Sequence, residues 1–393
     1  MIGTYNGVDI IQKKLQIGFL ASGFANRYGS GTGKHFEIVS KLLCNNFKSE
    51  VEVTFFCNSK EQYLYLKKDT SFLNAKLILL PSVKGRWLKS SRQYFKFAFT
   101  SRHHKIDVMH FSVPRLYPFF WLFPARKFVC TFHAGGDITA AKDSFIFSRE
   151  IYNLTAKIFF RKLDAIIAVS EYGKNEISDS YKIPRKRISV MHGGTDDIWK
   201  ARSKTPKNYL RKNKKLIVVI GRWQKYKNVQ IVTKALAEAE KTELKELYFV
   251  FVGKKISSNA IVIEKHLSNV DNKIYDTIDY LEEDNYVGLL KEADLVIVPS
   301  LNEGFSHPIF DAFSLGTRVL IHDDSPAAQI LNERKGVLIA DLRNSGNLID
   351  FIKSAIRMPK SDFSENRNFL ESIEATWGQL AKNYVELYDK LNK

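Results

Sequence analysis

The stretch from Leu295 to Leu320, LVIVPSLNEGFSHPIFDAFSLGTRVL, constrains the fold more than any other part of the chain. Leu295-Val296-Ile297-Val298 is a short apolar, β-branched run, the pattern of a strand buried on both faces of a parallel sheet. Pro299 and Ser300 end it. Asn302 to Ser306 then read as a loop, and Pro308 suits the first turn of a helix, where its missing N–H is not needed. Ile309, Phe310, Ala312, Phe313 and Leu315 make that helix apolar enough to be buried, and Gly316 stops it. Thr317 to Ile321 opens the next strand. The result is a strand–loop–helix–strand unit. Its acidic side chains fall at the carboxyl end of the first strand, where open α/β sheets bind ligands.

The acids are Glu303 and Asp311, eight residues apart. One is expected in the loop and the other in the first turn of the helix, so both can face one crevice. Carboxylates accept hydrogen bonds and suit the hydroxyls of a ribose or hexose. The backbone N–H groups from Gly304 to Ile309, through Phe305, Ser306 and His307, point the same way, and a helix N-terminus favours an anion. Sugar hydroxyls beside phosphate describe a nucleotide sugar.

The run EGFSHPIFDAFSLGT resembles the E-x7-E signature region of retaining glycosyltransferases of family GT4, which have the GT-B fold. It departs from that pattern at Asp311, where the second Glu is usual, and at His307, where an apolar residue is common. The resemblance implies an α/β chain of two Rossmann-like, doubly wound domains facing each other across a cleft. An acidic loop alone can occur in any α/β protein, so the rest of the chain has to agree.

At 393 residues the chain is long for one core, and two domains are expected. The reading is an N-terminal, acceptor-side domain over 1–199, a linker over 200–215, a nucleotide-sugar-binding domain over 216–372, and a terminal helix over 373–393 that crosses back to the first domain. The linker KARSKTPKNYLRKNKK is polar and basic without apolar periodicity. No apolar run approaches the roughly 20 residues that span a bilayer, and the start lacks a signal-peptide pattern. Cys44, Cys57 and Cys130 are widely spaced among apolar residues and read as buried reduced thiols, so a cytoplasmic location is expected. The net charge of +18 is uneven: residues 1–200 hold 31 Lys and Arg against 16 Asp and Glu. The first half should face something anionic, such as nucleic acid, an acidic membrane or a phosphorylated acceptor. No zinc spacing, RNP-like motif or basic zipper supports nucleic acid.

In chain order, LQIGFLAS (15–22) is a strand followed by a glycine-rich loop and a helix from about Phe36. Such a loop can cradle phosphate or be a tight turn. It is not a Walker A loop, because Tyr28 and His35 stand where that motif needs Gly and Ser or Thr. It resembles the first glycine-rich loop of GT-B enzymes, which implies Gly31 and Gly33 under the donor diphosphate. Residues 84–105 form a helix rich in basic and aromatic residues. It can rest on an anionic membrane surface or be an ordinary crossover helix with a buried aromatic stripe. The cluster YPFFWLF (117–123) poses the same choice between a membrane lip and core. His133, followed by Ala134, two glycines and Asp137, ends a strand and is placed for a ligand. The resemblance implies that His133 lies near the reacting sugar and that Asp137 helps bind the acceptor. Farther on, HGGTDDIW (192–199) resembles the family's run-up to the domain hinge.

After the strand LIVVIG (216–221), the pattern G-R-x4-K places Arg222 and Lys227 as two fixed cations suited to a diphosphate. Tyr275, Thr277 and Ile278 fall where GT4 enzymes hold the nucleotide base, with Thr277 in place of the usual glycine. The sequence contains no D-x-D pair, so the metal-bridged site of the other large glycosyltransferase fold is not supported. The resulting expectation is a metal-independent, retaining hexosyltransferase without a cofactor. It would use a GDP-mannose or UDP-glucose type donor and a glycan or lipid-linked acceptor. Arg222 and Lys227 would neutralise the leaving diphosphate, Glu303 hold the hexose and Asp311 the ribose. A nucleotide-sugar epimerase of the same fold and a non-catalytic binding protein are the alternatives.

Overall fold

Long runs of alternating apolar segments and polar breaks give two parallel sheets among the described residues, one of seven strands and one of six. A two-stranded ribbon at Thr4–Tyr5 and Val8–Asp9 precedes them. The structure, a computed structural model, describes residues 4–5, 8–9, 13–21, 31–83, 89–100, 105–112, 114–133, 149–204 and 214–393.

The first sheet contains β1 (Leu15–Leu20), β2 (Val51–Cys57), β3 (Lys76–Leu79), β4 (Ile106–Phe111), β5 (Ala125–Phe132), β6 (Ala165–Ala168) and β7 (Ile188–Val190). Their order is β3-β2-β1-β4-β5-β6-β7, and every pairing is parallel. The second contains β8 (Lys215–Ile220), β9 (Leu247–Val252), β10 (Tyr275–Ile278), β11 (Leu295–Val298), β12 (Val319–His322) and β13 (Val337–Ala340). Its order is β10-β9-β8-β11-β12-β13, again all parallel. Both sheets are the doubly wound, Rossmann-like arrangement expected for GT-B. In each, the strand order reverses beside the first strand, at β1/β4 and at β8/β11, and loops leaving those pairs diverge to open a crevice.

The chain divides into two compact units, Met1–His192 with Trp377–Lys393, and Gly193–Thr376. The division falls ahead of the linker read at 200–215, of which 205–213 lie outside the described residues. The glycine turn explains the early division. A Cβ on Gly193 would stand 2.6 Å from His307 Cε1, so this backbone is already packed against the second unit's own loop.

In the first unit, the helix Trp377–Asn392 buries Trp377, Leu380, Tyr384 and Tyr388 against a core that includes Ile17, Phe36 and Val108. A polar seam runs through this apolar contact. Tyr384 Oη lies 3.1 Å from His35 Nε2 and 3.2 Å from Thr131 Oγ1. His110 bridges Thr131 Oγ1 (2.8 Å) and Tyr388 Oη (2.5 Å) through its two ring nitrogens. Burial, and then the neighbouring charge of His133, push His110 down to about 3. The ring is therefore neutral at physiological pH.

The helix expected at 84–105 is described as Lys89–Thr100, with 84–88 and 101–104 outside the described residues. It has two faces. Tyr94 and Phe97 enter the core, whereas Phe95 and Phe99 are 50% and 76% exposed beside exposed Arg92 and Lys96. In the second aromatic cluster, a 3-10 helix over Pro114–Leu122, Phe120 stacks on Phe111 at 3.8 Å between ring centroids and belongs to the core. No described helix is long and apolar enough to cross a membrane. Cys44, Cys57 and Cys130 are buried and form no disulfide, and burial pushes the Cys44 and Cys57 thiols up to about 12.

Between the ordinary histidine pKa of about 6.5 and the folded value of about 3, an unfolded His110 binds a proton that the folded one does not. Its contribution is constant above about pH 6.5 and lost as pH falls, at up to about 1.4 kcal/mol per pH unit. Thermal unfolding from pH 7.5 to 4.5 should therefore show a falling Tm, with a shallower fall in His110→Gln. Equal slopes in the two proteins would contradict this.

Candidate functional site

The second sheet's switch point is built from two loops. After β8 the chain runs Gly221-Arg222-Trp223-Gln224, makes a 3-10 turn at Lys225–Lys227, and enters the helix Val229–Glu238 through Asn228. Asn228 is left-handed (φ 54°), which asparagine tolerates better than most side chains. Its buried amide donates to Leu342 O at 2.8 Å and anchors the turn. Trp223 is buried, and its backbone N–H donates to Lys254 O at 3.1 Å. A Cβ on Gly253 would fall 2.1 Å from Gly221 O, so the ends of β8 and β9 can approach only with glycine there.

The second loop, after β11, is tied to the first by Leu301 N–H donating to Tyr226 O at 3.0 Å. Phe305 stacks on Phe310 at 4.1 Å and 5°, which folds the loop back onto its own helix. Ser306 takes a left-handed φ of 70° at the N-cap of the helix His307–Ser314. That helix ends as expected. Gly316 (φ 76°) donates to Phe313 O, and Thr317 donates to Ala312 O, the paired bonds of a Schellman cap.

These loops place Arg222, Lys227 and Glu303 beyond the carboxyl ends of β8 and β11. Lys227 Nζ sits 2.5 Å from Glu303 Oε1, and the two side chains are only 17% and 13% exposed. Arg222 Nη2 donates to Tyr226 Oη at 3.1 Å. Among the described residues, Arg222 makes no ion pair with a carboxylate. The polar side chains Thr195, Ser300 and Ser306 are buried in this unit, each with a hydroxyl that has no hydrogen-bond partner among the described residues. Gly304 and His307 are half-buried, and Phe305 is buried.

Asp311 differs from expectation in one respect. The helix begins at His307, so Asp311 falls in its second turn and no acid occupies the first. It is 3% exposed and its Oδ2 accepts from Tyr286 Oη at 3.2 Å. Tyr275, Thr277 and Ile278 lie on β10, the edge strand of the sheet, where Thr277 is exposed.

In the first unit, His133 follows β5 directly. Its ring meets His35 edge-on at 4.8 Å and 87°, and Phe36 at 5.9 Å. Gly31 and Gly33 lie within the helix Gly31–Asn46, not in a loop before it, because the helix starts earlier than its apolar pattern suggests. Residues 22–30 of the glycine-rich loop and Asp137 lie outside the described residues.

Sequence reasoning missed Tyr226 and Tyr286, which orient Arg222 and Asp311. The i,i+4 spacing of Arg222 and Tyr226 was a usable local signal. Tyr286 carries none, since it reaches Asp311 from a separate helix, Glu283–Glu292.

Two family models match the chain: glycosyl transferases group 1 over residues 201–369, and glycosyltransferase family 4 over residues 37–198. Each model covers less than half of the chain, one falling in each half, and the fold is that of the GT-B glycosyltransferase superfamily. The chain is 23% identical over 256 residues to an uncharacterized glycosyltransferase of Methanocaldococcus jannaschii. That match covers 60% of this chain and 60% of the relative's length. A glycosyltransferase structure from Rickettsia africae superposes with a TM-score of 0.72 at 17% identity, covering 97% of this chain and 100% of that one. HepE of Anabaena, in a structure with UDP and glucose, superposes with a TM-score of 0.66 at 15% identity, covering 96% and 97%.

Proposed function

We propose that this glycosyltransferase moves a hexose from a nucleotide-diphosphate sugar to a hydroxyl of a glycan or lipid-linked acceptor, with retention of configuration and without a metal. The observation that carries the reading is the placement of Arg222, Lys227 and Glu303 on the two loops of the second sheet's switch point. Two cations there suit a diphosphate, and a carboxylate beside them suits sugar hydroxyls. Charge builds on the outer diphosphate oxygens as the sugar leaves, and fixed cations stabilise that charge. Asp311, oriented by Tyr286, holds the ribose. His133 acts near the reacting sugar, the place the family resemblance implies for it, and exclusion of water limits hydrolysis of the donor. The leaving phosphate takes the acceptor proton on the face it departs from, so no side-chain nucleophile is needed. HepE of Anabaena, solved with UDP and glucose, supports a UDP-glucose type donor, with a GDP-mannose type as the alternative.

Lys227→Ala should lower turnover on the order of a hundredfold while the protein stays folded. Turnover should persist in excess EDTA, and donor incubated without acceptor should not be converted to an epimer. Full activity in Lys227→Ala, or loss in EDTA restored by Mn²⁺, would contradict the mechanism. An altered donor without acceptor would make the protein an epimerase.

The helix Lys89–Thr100 supports a peripheral membrane contact for a lipid-linked acceptor, because exposed Phe95 and Phe99 stand among Arg92 and Lys96. Flotation with vesicles containing phosphatidylglycerol should recover the protein, and the double variant Phe95→Ser, Phe99→Ser should stay unbound. Equal recovery of both would remove the membrane from the account.

A further inference from the structure

We infer that Glu303 is a built-in competitor of the diphosphate for Lys227, and that this competition makes the site prefer an intact nucleotide sugar to the bare nucleoside diphosphate. The inference rests on the donor reading above and adds a role for the Lys227–Glu303 contact.

The two groups are in contact at 2.5 Å and keep little exposure, 17% and 13%. Each has given up most of its water and relies on the other. Neither is easily swung out. Lys227 is the last residue of a 3-10 turn held by Asn228, and its ammonium also lies 5.2 Å from the Tyr226 ring. Glu303 is carried by a loop pinned at Leu301 and at Phe305. Arg222 offers its guanidinium without breaking such a pair, since its bond is to the neutral Tyr226 hydroxyl.

A diphosphate entering the crevice can therefore use Arg222 at once, but can engage Lys227 only by displacing Glu303. Two anionic groups then share one ammonium in a partly dehydrated place, where like charges repel more than in water. What arrives with the diphosphate decides the outcome. A nucleotide sugar brings hydroxyls that donate to the displaced carboxylate. A bare diphosphate brings none, and its terminal phosphate carries additional negative charge toward Glu303. The carboxylate thus penalises the product more than the substrate. Once the hexose has been transferred, Glu303 loses its hydroxyl donors and reclaims Lys227, which favours release of the nucleoside diphosphate.

The test is calorimetric titration of the full chain with UDP, UDP-glucose, GDP and GDP-mannose, in wild type, Glu303→Gln and Glu303→Asp. For the nucleotide that binds, Glu303→Gln should tighten the diphosphate about tenfold by removing the competing charge. It should leave the nucleotide sugar unchanged or weaker, so the preference for the sugar disappears. Glu303→Asp keeps the charge and should retain that preference, which guards against a general effect of altering the loop. Binding by wild type with an unchanged sugar-to-diphosphate ratio in Glu303→Gln would overturn the inference and leave the donor reading standing. Failure of wild type to bind any of the four would overturn both.

Discussion

The site depends on where the second sheet reverses direction. β8 is the first strand of that domain, and it pairs with β9 on one side and β11 on the other. The connection from β8 goes one way and that from β11 the other, so the carboxyl ends of these neighbours cannot be covered by a single crossover. Two loops from sequence positions about eighty residues apart are thereby brought side by side. The ion pair between Lys227 and Glu303 follows from that topology, since nothing local in the sequence connects them.

A charged pair this sheltered does little for stability by itself, because removing both ions from water offsets much of their attraction. Its setting is maintained by apolar and backbone contacts. Gly253 lets β9 end against Gly221, Gly193 lies flat on His307, and Phe305 stacks on Phe310. The buried hydroxyls of Thr195, Ser300 and Ser306 have no protein partner among the described residues, which is unusual for groups so dry.

Much of this was legible in the sequence, for a physical reason. Strands buried on both faces read as unbroken apolar runs, so LIVVI and LVIV announced β8 and β11. Charged residues placed soon after such runs then marked Arg222, Lys227 and Glu303 as candidates for the site. Other features depend on tertiary contacts that leave no local pattern. Tyr286 reaches Asp311 from another helix, and Asp311 lies one turn deeper than its distance from the loop suggested. In the first domain, His35, His110 and Thr131 join Tyr384 and Tyr388 across hundreds of residues. The start of the helix at Gly31 was also hidden, because glycine-rich sequence signals a turn more strongly than a helix.

The proposed donor site, at the switch point of the second sheet, holds a nucleotide sugar through Arg222 and Lys227. Thermal unfolding with a panel of nucleoside diphosphates and their sugars tests it most directly, because a ligand that binds the folded state raises Tm by mass action. A concentration-dependent rise is expected for one nucleotide family, greater for the sugar than for the diphosphate, and abolished in the double variant Arg222→Ala, Lys227→Ala. A rise of equal size in that variant would place the ligand elsewhere and rule out this site.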